Sequence, residues 1–163
     1  MSANKKLAEV TPGPVYFEDR GAVYKAPLDM VWDFWLNDET YHPKAHTSKV
    51  RNFKMKKLSE VTTLLRYEAL EARKWRKRAC RMTVIRPAVR IQEDLEGPDA
   101  GSVKVYVYTP RGSSTAVDVL CWMRSTERTP KQIRSEARRM FANAFREDLP
   151  WFRQYVRSRK DKG

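Results

Sequence analysis

His42 and His46 stand four residues apart in the stretch APLDMVWDFWLNDETYHPKAH, close behind Trp32, Phe34 and Trp35. That spacing aims two imidazoles the same way from a helix, as in helical zinc sites. Here Pro43 follows the first histidine, where the zinc proteases carry glutamate, and it argues against one regular helix through both. The chain has no third histidine. No metal and no cofactor is therefore expected, and Tyr41, His42 and Pro43 read as residues that close one end of a sheet.

A second constellation is basic. Arg73, Lys74, Arg76, Lys77, Arg78 and Arg81 surround Trp75 in EARKWRKRACR. Cations with interleaved aromatics suit a phosphate backbone and stacked bases. The formal net charge is +13, and it is concentrated, with +11 on residues 49–90 and +6 on residues 131–163. An anionic partner or nucleic acid is one reading, and a solvated basic face is the other. No helix-turn-helix, zinc-finger or RNP-type motif accompanies the cations. An exposed aromatic patch would serve a dimer interface equally well, so both monomer and homodimer stay open.

The elements that must position these groups follow from periodicity. The 163 residues suit one domain, read as residues 15–163 behind a flexible arm over residues 1–14 that contains TPGP. No run of about 18 apolar residues is present, and the N-terminus lacks the apolar stretch of a secretory signal, so a cytoplasmic protein is expected. Cys80 and Cys121 form no CxxC or Cys/His cluster and read as small buried hydrophobes. Val15–Lys25 reads as a strand bent at Gly21. Ala26-Pro27 opens an amphipathic helix over Val31, Trp32, Phe34, Trp35 and Leu36. Six short strands follow, separated by turns at Ser59-Glu60, Arg86-Pro87, EGPDAG and PRGS, and imply an antiparallel meander. After Thr129-Pro130 the spacing of Ile133, Ala137, Met140, Phe141, Ala144 and Phe145 predicts one long terminal helix, with a bend expected at Leu149-Pro150.

That order, with APLDMVWDFW after the first strand, YHPKAH soon after it and REDLPWFRQYV near the end, resembles the START-like helix-grip superfamily (SRPBCC). This superfamily includes polyketide cyclases and dehydratases, birch-pollen-type allergens and lipid-transfer domains. The resemblance covers roughly Val15 to Val156 and brings no catalytic motif. It implies an α+β fold in which a curved antiparallel sheet grips the C-terminal helix around an apolar cavity.

The residues make the same case without the family. An inner sheet face of Val105, Val107, Val119, Cys121 and Met123, covered by Met140, Phe141 and Ala144, would leave unfilled apolar space for a hydrophobic small molecule or lipid. Arg66, Tyr67, Tyr106 and Tyr108 are the polar candidates for orienting it, with their facing left open because one residue of register reverses every side chain. If the valines of SVKVYVYT point inward, Tyr106, Tyr108 and Trp122 lie outside beside the basic strand. A cyclase or dehydratase in the same cavity would need an acid/base pair, for which His42 with Tyr67 or Glu68 is the pairing available.

Overall fold

A computed structural model of the chain describes residues 13–45 and 49–161. Most of the expected arm and His46 lie outside the described residues. Seven strands, β1 (Val15–Tyr24), β2 (Val50–Lys57), β3 (Thr62–Glu71), β4 (Lys74–Ile85), β5 (Val89–Glu96), β6 (Val103–Arg111) and β7 (Ser114–Met123), form one sheet in the order β1-β7-β6-β5-β4-β3-β2. Every pairing is antiparallel, β2 through β7 as a meander and β1 against β7. The other elements among the described residues are two helices, α1 (Leu28–Asn37) and α2 (Pro130–Lys160), and a short 3₁₀ turn at His42–Lys44.

Local sequence accounts for each junction. Strand β1 slips register between Asp19 and Ala22, where Gly21 takes φ +93°, a conformation that favours glycine. Helix α1 starts behind Pro27 and buries Val31, Trp32, Phe34, Trp35 and Leu36. Asp38 then ends it. Its carboxylate accepts from the backbone N–H groups of Thr40, Tyr41 and His42 at 3.2, 2.8 and 2.7 Å, which folds the 3₁₀ turn tightly and fixes His42 beside the helix. Thr129 opens α2 with a capping box closed by Gln132. The helix then runs unbroken across Pro150 to Lys160.

The buried stripe of α2, Ile133, Ala137, Phe141, Phe152 and Tyr155, recurs at helical spacing. At one end of the molecule it meets large rings. Tyr24 and Phe34 lie 4.8 and 5.2 Å from Phe152, and Trp32 lies 4.5 Å from Tyr108 between ring centroids. The main close neighbours of the α2 backbone are β1, α1 and the 3₁₀ turn rather than the middle strands β3–β6. The helix therefore closes over one side of the sheet and stands clear of its centre.

Candidate functional site

The space between α2 and the middle strands is a cavity of about 770 Å³. Aromatic packing fills the α1 end, while Ala137 and Ala144 are too small to fill the space beneath the middle of α2. Leu65, Tyr67 and Ala69 of β3, Cys80 of β4, and Val117, Val119 and Met123 of β7 contribute apolar wall. Met140, Phe141 and Ala144 face them from α2, and Trp35, His42 and Phe53 stand at one end.

Strands β5 and β6 add polar wall. Arg90 is buried, with its guanidinium carbon 4.0 Å from the ring centroid of Trp35 and 3.9 Å from that of Tyr106. Lys104 is buried too, and its ammonium donates to Asp94 at 2.7 Å. Burial pushes the phenols of Tyr67, Tyr106 and Tyr108 up, so they stay protonated. Burial likewise pushes the Cys80 thiol up to about 12, which leaves it unreactive at neutral pH. Ion pairs line the rim, Arg76 with Glu127 at 2.6 Å and Arg128 with Glu136 at 2.6 Å and with Asp99.

No family model matches the sequence, and no curated protein matches it. Solved structures do match in three dimensions. The di-domain aromatase/cyclase StfQ of the steffimycin biosynthetic pathway superimposes with a TM-score of 0.69 at 11% identity, over 97% of this chain and 55% of that one. This chain thus spans just over half of that protein. The Zhui aromatase/cyclase of a Streptomyces species gives 0.65 at 13% identity over 87% and 93% of the two chains. The lipid transfer and protein localization domain of human StarD13 gives 0.63 at 15% identity over 84% and 76%. The chain has the helix-grip fold.

Within this helix-grip cavity the structure brings together Val119, Met123, Met140, Phe141, Ala144 and Tyr67 as wall residues. Cys121 lies on the same face of β7, fully buried. Four expected residues are elsewhere. Val105 and Val107 pair with Leu120 and Asp118 on the outer face, because the register sets Lys104, Tyr106 and Tyr108 opposite the inward residues Cys121, Val119 and Val117. Tyr106 and Tyr108 accordingly lie inside the fold, not beside the basic strand. Arg66 is exposed on the outer face, one residue out of phase with inward Leu65 and Tyr67. Glu68 shares that outer face and accepts from Arg51 at 2.8 Å and Asn52 at 2.6 Å, hydrogen bonds that lower its carboxyl pKa. Glu68 therefore cannot act with His42, which is buried against Trp35 with ring centroids 4.6 Å apart. His42 and Tyr67 both flank Phe53, at 6.0 and 6.2 Å between rings.

The six cations around Trp75 do not form one surface. Strand alternation sends Arg76 and Arg78 to the cavity side, opposite Ala69 and Tyr67, and Lys77 and Arg81 to the outer side, opposite Glu68 and Leu64. Arg73 and Lys74 sit exposed at the β3–β4 turn. Arg76 pairs with Glu127, Arg78 with Glu71 and Arg81 with Glu93. Trp75 is partly covered by Arg51, whose guanidinium carbon lies 4.3 Å from the indole ring centroid. Among the described residues no group of three or more His, Cys, Asp or Glu side chains could hold a metal, and no helix is long and apolar enough to cross a membrane.

Sequence reasoning missed Arg90, Gln92 and Lys104 as wall residues. The signal was present in AVRIQEDL and SVKVYVYT, where Arg90, Gln92 and Asp94 share one face, as do Lys104, Tyr106 and Tyr108. Only the pairing register says that these faces are the inner ones.

Proposed function

We propose that the chain binds and carries an apolar small molecule or lipid in the cavity between α2 and the sheet. One observation carries this reading, the cavity of about 770 Å³ walled by valines, leucine, methionines and aromatic rings. Packed cores leave few voids larger than a water molecule, whereas small-molecule sites run from about 300 to 1,000 Å³. The likeness to a domain described as lipid-transferring, that of StarD13, supports the same class of ligand.

A second reading is favoured by the cluster of buried phenols with His42 at the end of the cavity. There the chain would act as a polyketide cyclase/dehydratase-like enzyme, with Tyr67, Tyr106 or Tyr108 as proton donors; the aromatase/cyclase neighbours support it. Native mass spectrometry of the protein purified from its own host tests both. An apolar compound bound at one per chain, recovered chemically unchanged after rebinding, fits a carrier, and a compound returned in altered form fits an enzyme. A chain that arrives empty, with nucleic acid co-purifying in a salt-sensitive way, would remove both readings.

A further inference from the structure

Arg90 differs from the other buried cations of the sheet. Lys104 has Asp94 and Arg78 has Glu71, but among the described residues no carboxylate forms an ion pair with Arg90. Arg90 is only 3% exposed and stands in the cavity wall. Trp35 and Tyr106 cover the guanidinium, and such ring faces stabilise a cation while accepting none of its in-plane N–H groups as a carboxylate would. Along that edge, Nη1 donates to the sulfur of Met82 at 3.4 Å, a weak acceptor, Nε has no partner, and the oxygen within reach of the guanidinium is the neutral hydroxyl of Tyr108.

A guanidinium cannot escape such a setting by losing its proton. Burial works to lower its pKa, and Tyr108, Tyr106, Tyr24 and Asp148 together outweigh burial and hold it up. Asp148 acts on Arg90 only through space, and a buried charge with no carboxylate in direct contact is costly unless something supplies one. The surrounding hydroxyls point to the same kind of guest, since the neighbouring phenols of Tyr106 and Tyr108 are kept protonated by burial and can donate to an oxyanion.

We propose that Arg90 anchors the acidic group of the cavity's ligand, which is therefore an amphipathic organic acid: a carboxylate against the Arg90 edge and an apolar body among Val119, Met123 and Phe141. The inference rests on the ligand-binding reading and narrows it from apolar compounds in general to those that carry one carboxylate. Arg90 is on this account a binding residue, and the rings of Trp35 and Tyr106 position it.

Pyrenebutanoic acid and pyrenebutanol share an apolar body and differ in the acidic group, so fluorescence titration of both, at a salt concentration high enough to screen surface charge, tests the proposal. The wild-type chain should bind the acid about ten- to a hundredfold more tightly than the alcohol, the range expected for hydrogen bonds to a charged group. Arg90→Met and Arg90→Gln should erase that preference and leave alcohol binding intact. If the alcohol binds and the acid is no tighter, or if the preference survives both substitutions, the anchor is wrong and the cavity reading stands. If the folded wild-type chain binds neither probe, both fall. A wild-type titration needs no variant: the acid's advantage should shrink as the pH is lowered below the free probe's carboxylate pKa, and an advantage that does not shrink there would overturn the proposal.

Discussion

Strands β6 and β7 lie side by side and present opposite chemistry to the same cavity. The inward residues of β7 are Val117, Val119, Cys121 and Met123, while those of β6 are Lys104, Tyr106 and Tyr108, paired directly across from the first three. Strand β6 keeps its valines, at 103, 105 and 107, on the outer face, where they are only half-buried. Strand β7 lies between β6 and β1, against which α2 packs, so apolar side chains complete a core there. Strand β6 lies under the open cavity, where a buried polar group can meet a partner in the wall, as Lys104 meets Asp94. The interior wall is apolar where the core is packed and polar where it borders the cavity.

The contrast depends on the cover that makes both faces interior, and removing it should have the largest effect. A chain cut before Lys131 loses Ile133, Phe141, Phe152 and Tyr155, all buried. Each such side chain is worth about 1.5 to 3 kcal/mol on burial, against a total stability of about 5 to 15 kcal/mol. Circular dichroism should show no cooperative melt, and a sharp transition from residues 1–130 alone would contradict the architecture. Next comes the polar wall itself. Asp94→Ala strands the buried ammonium of Lys104 and should cost about 3 to 5 kcal/mol in urea unfolding, whereas Asp94→Leu with Lys104→Met should be close to wild type or more stable.

Valine to threonine substitutions compare the two strands at similar side-chain volume. Val119→Thr places a hydroxyl on the inner face of β7 and should cost about 1 to 3 kcal/mol. Val105→Thr, on the outer face of β6, should stay within about 0.5 kcal/mol. Equal costs would mean that the two strands do not differ as described. The mildest probe is pH. Burial raises the thiols of Cys80 and Cys121 from 9.0 to about 12. Above pH 9 the unfolded chain has lost these protons while the folded chain keeps them, so stability is fully present below that pH and declines as pH rises toward 12. The thermal midpoint should fall steadily over that interval, and Cys80→Ala with Cys121→Ala should flatten the fall.

Element order was legible in the sequence because each strand is short, ends at a turn signal and gives way to helical spacing at Thr129-Pro130. Strand β4 occupies Lys74–Ile85, the span its residue types indicate. The facing of side chains was read correctly in β7, where Val117, Val119, Cys121 and Met123 form an unbroken apolar set and the alternate set is interrupted by Ser114 and Asp118. In β6 the rule that valines face inward chose the wrong set, because it assumes a packed core and this face borders a cavity. Glu68 failed as a partner of His42 for a related reason: sequence proximity to Tyr67 puts it on the opposite side of the sheet. The basic run of β4 looked like one patch because alternation, which divides it between two faces, is invisible in a count of charges. Arg90 stood unremarked as one cation among nineteen arginines, and only its enclosure by Trp35 and Tyr106 sets it apart.

The claim on which the rest depends is that the space under α2 admits an apolar guest. Binding of an uncharged apolar probe, pyrenebutanol, to the wild-type chain and to Ala144→Trp tests it directly at about 50 and about 200 mM salt. Ala144 lines the cavity from α2, so tryptophan there should fill the space and abolish binding, at a cost of about 1 to 3 kcal/mol from overpacking. The account predicts wild-type binding that is nearly independent of salt and absent in the variant. Binding that survives Ala144→Trp, or that falls steeply with salt, would contradict it.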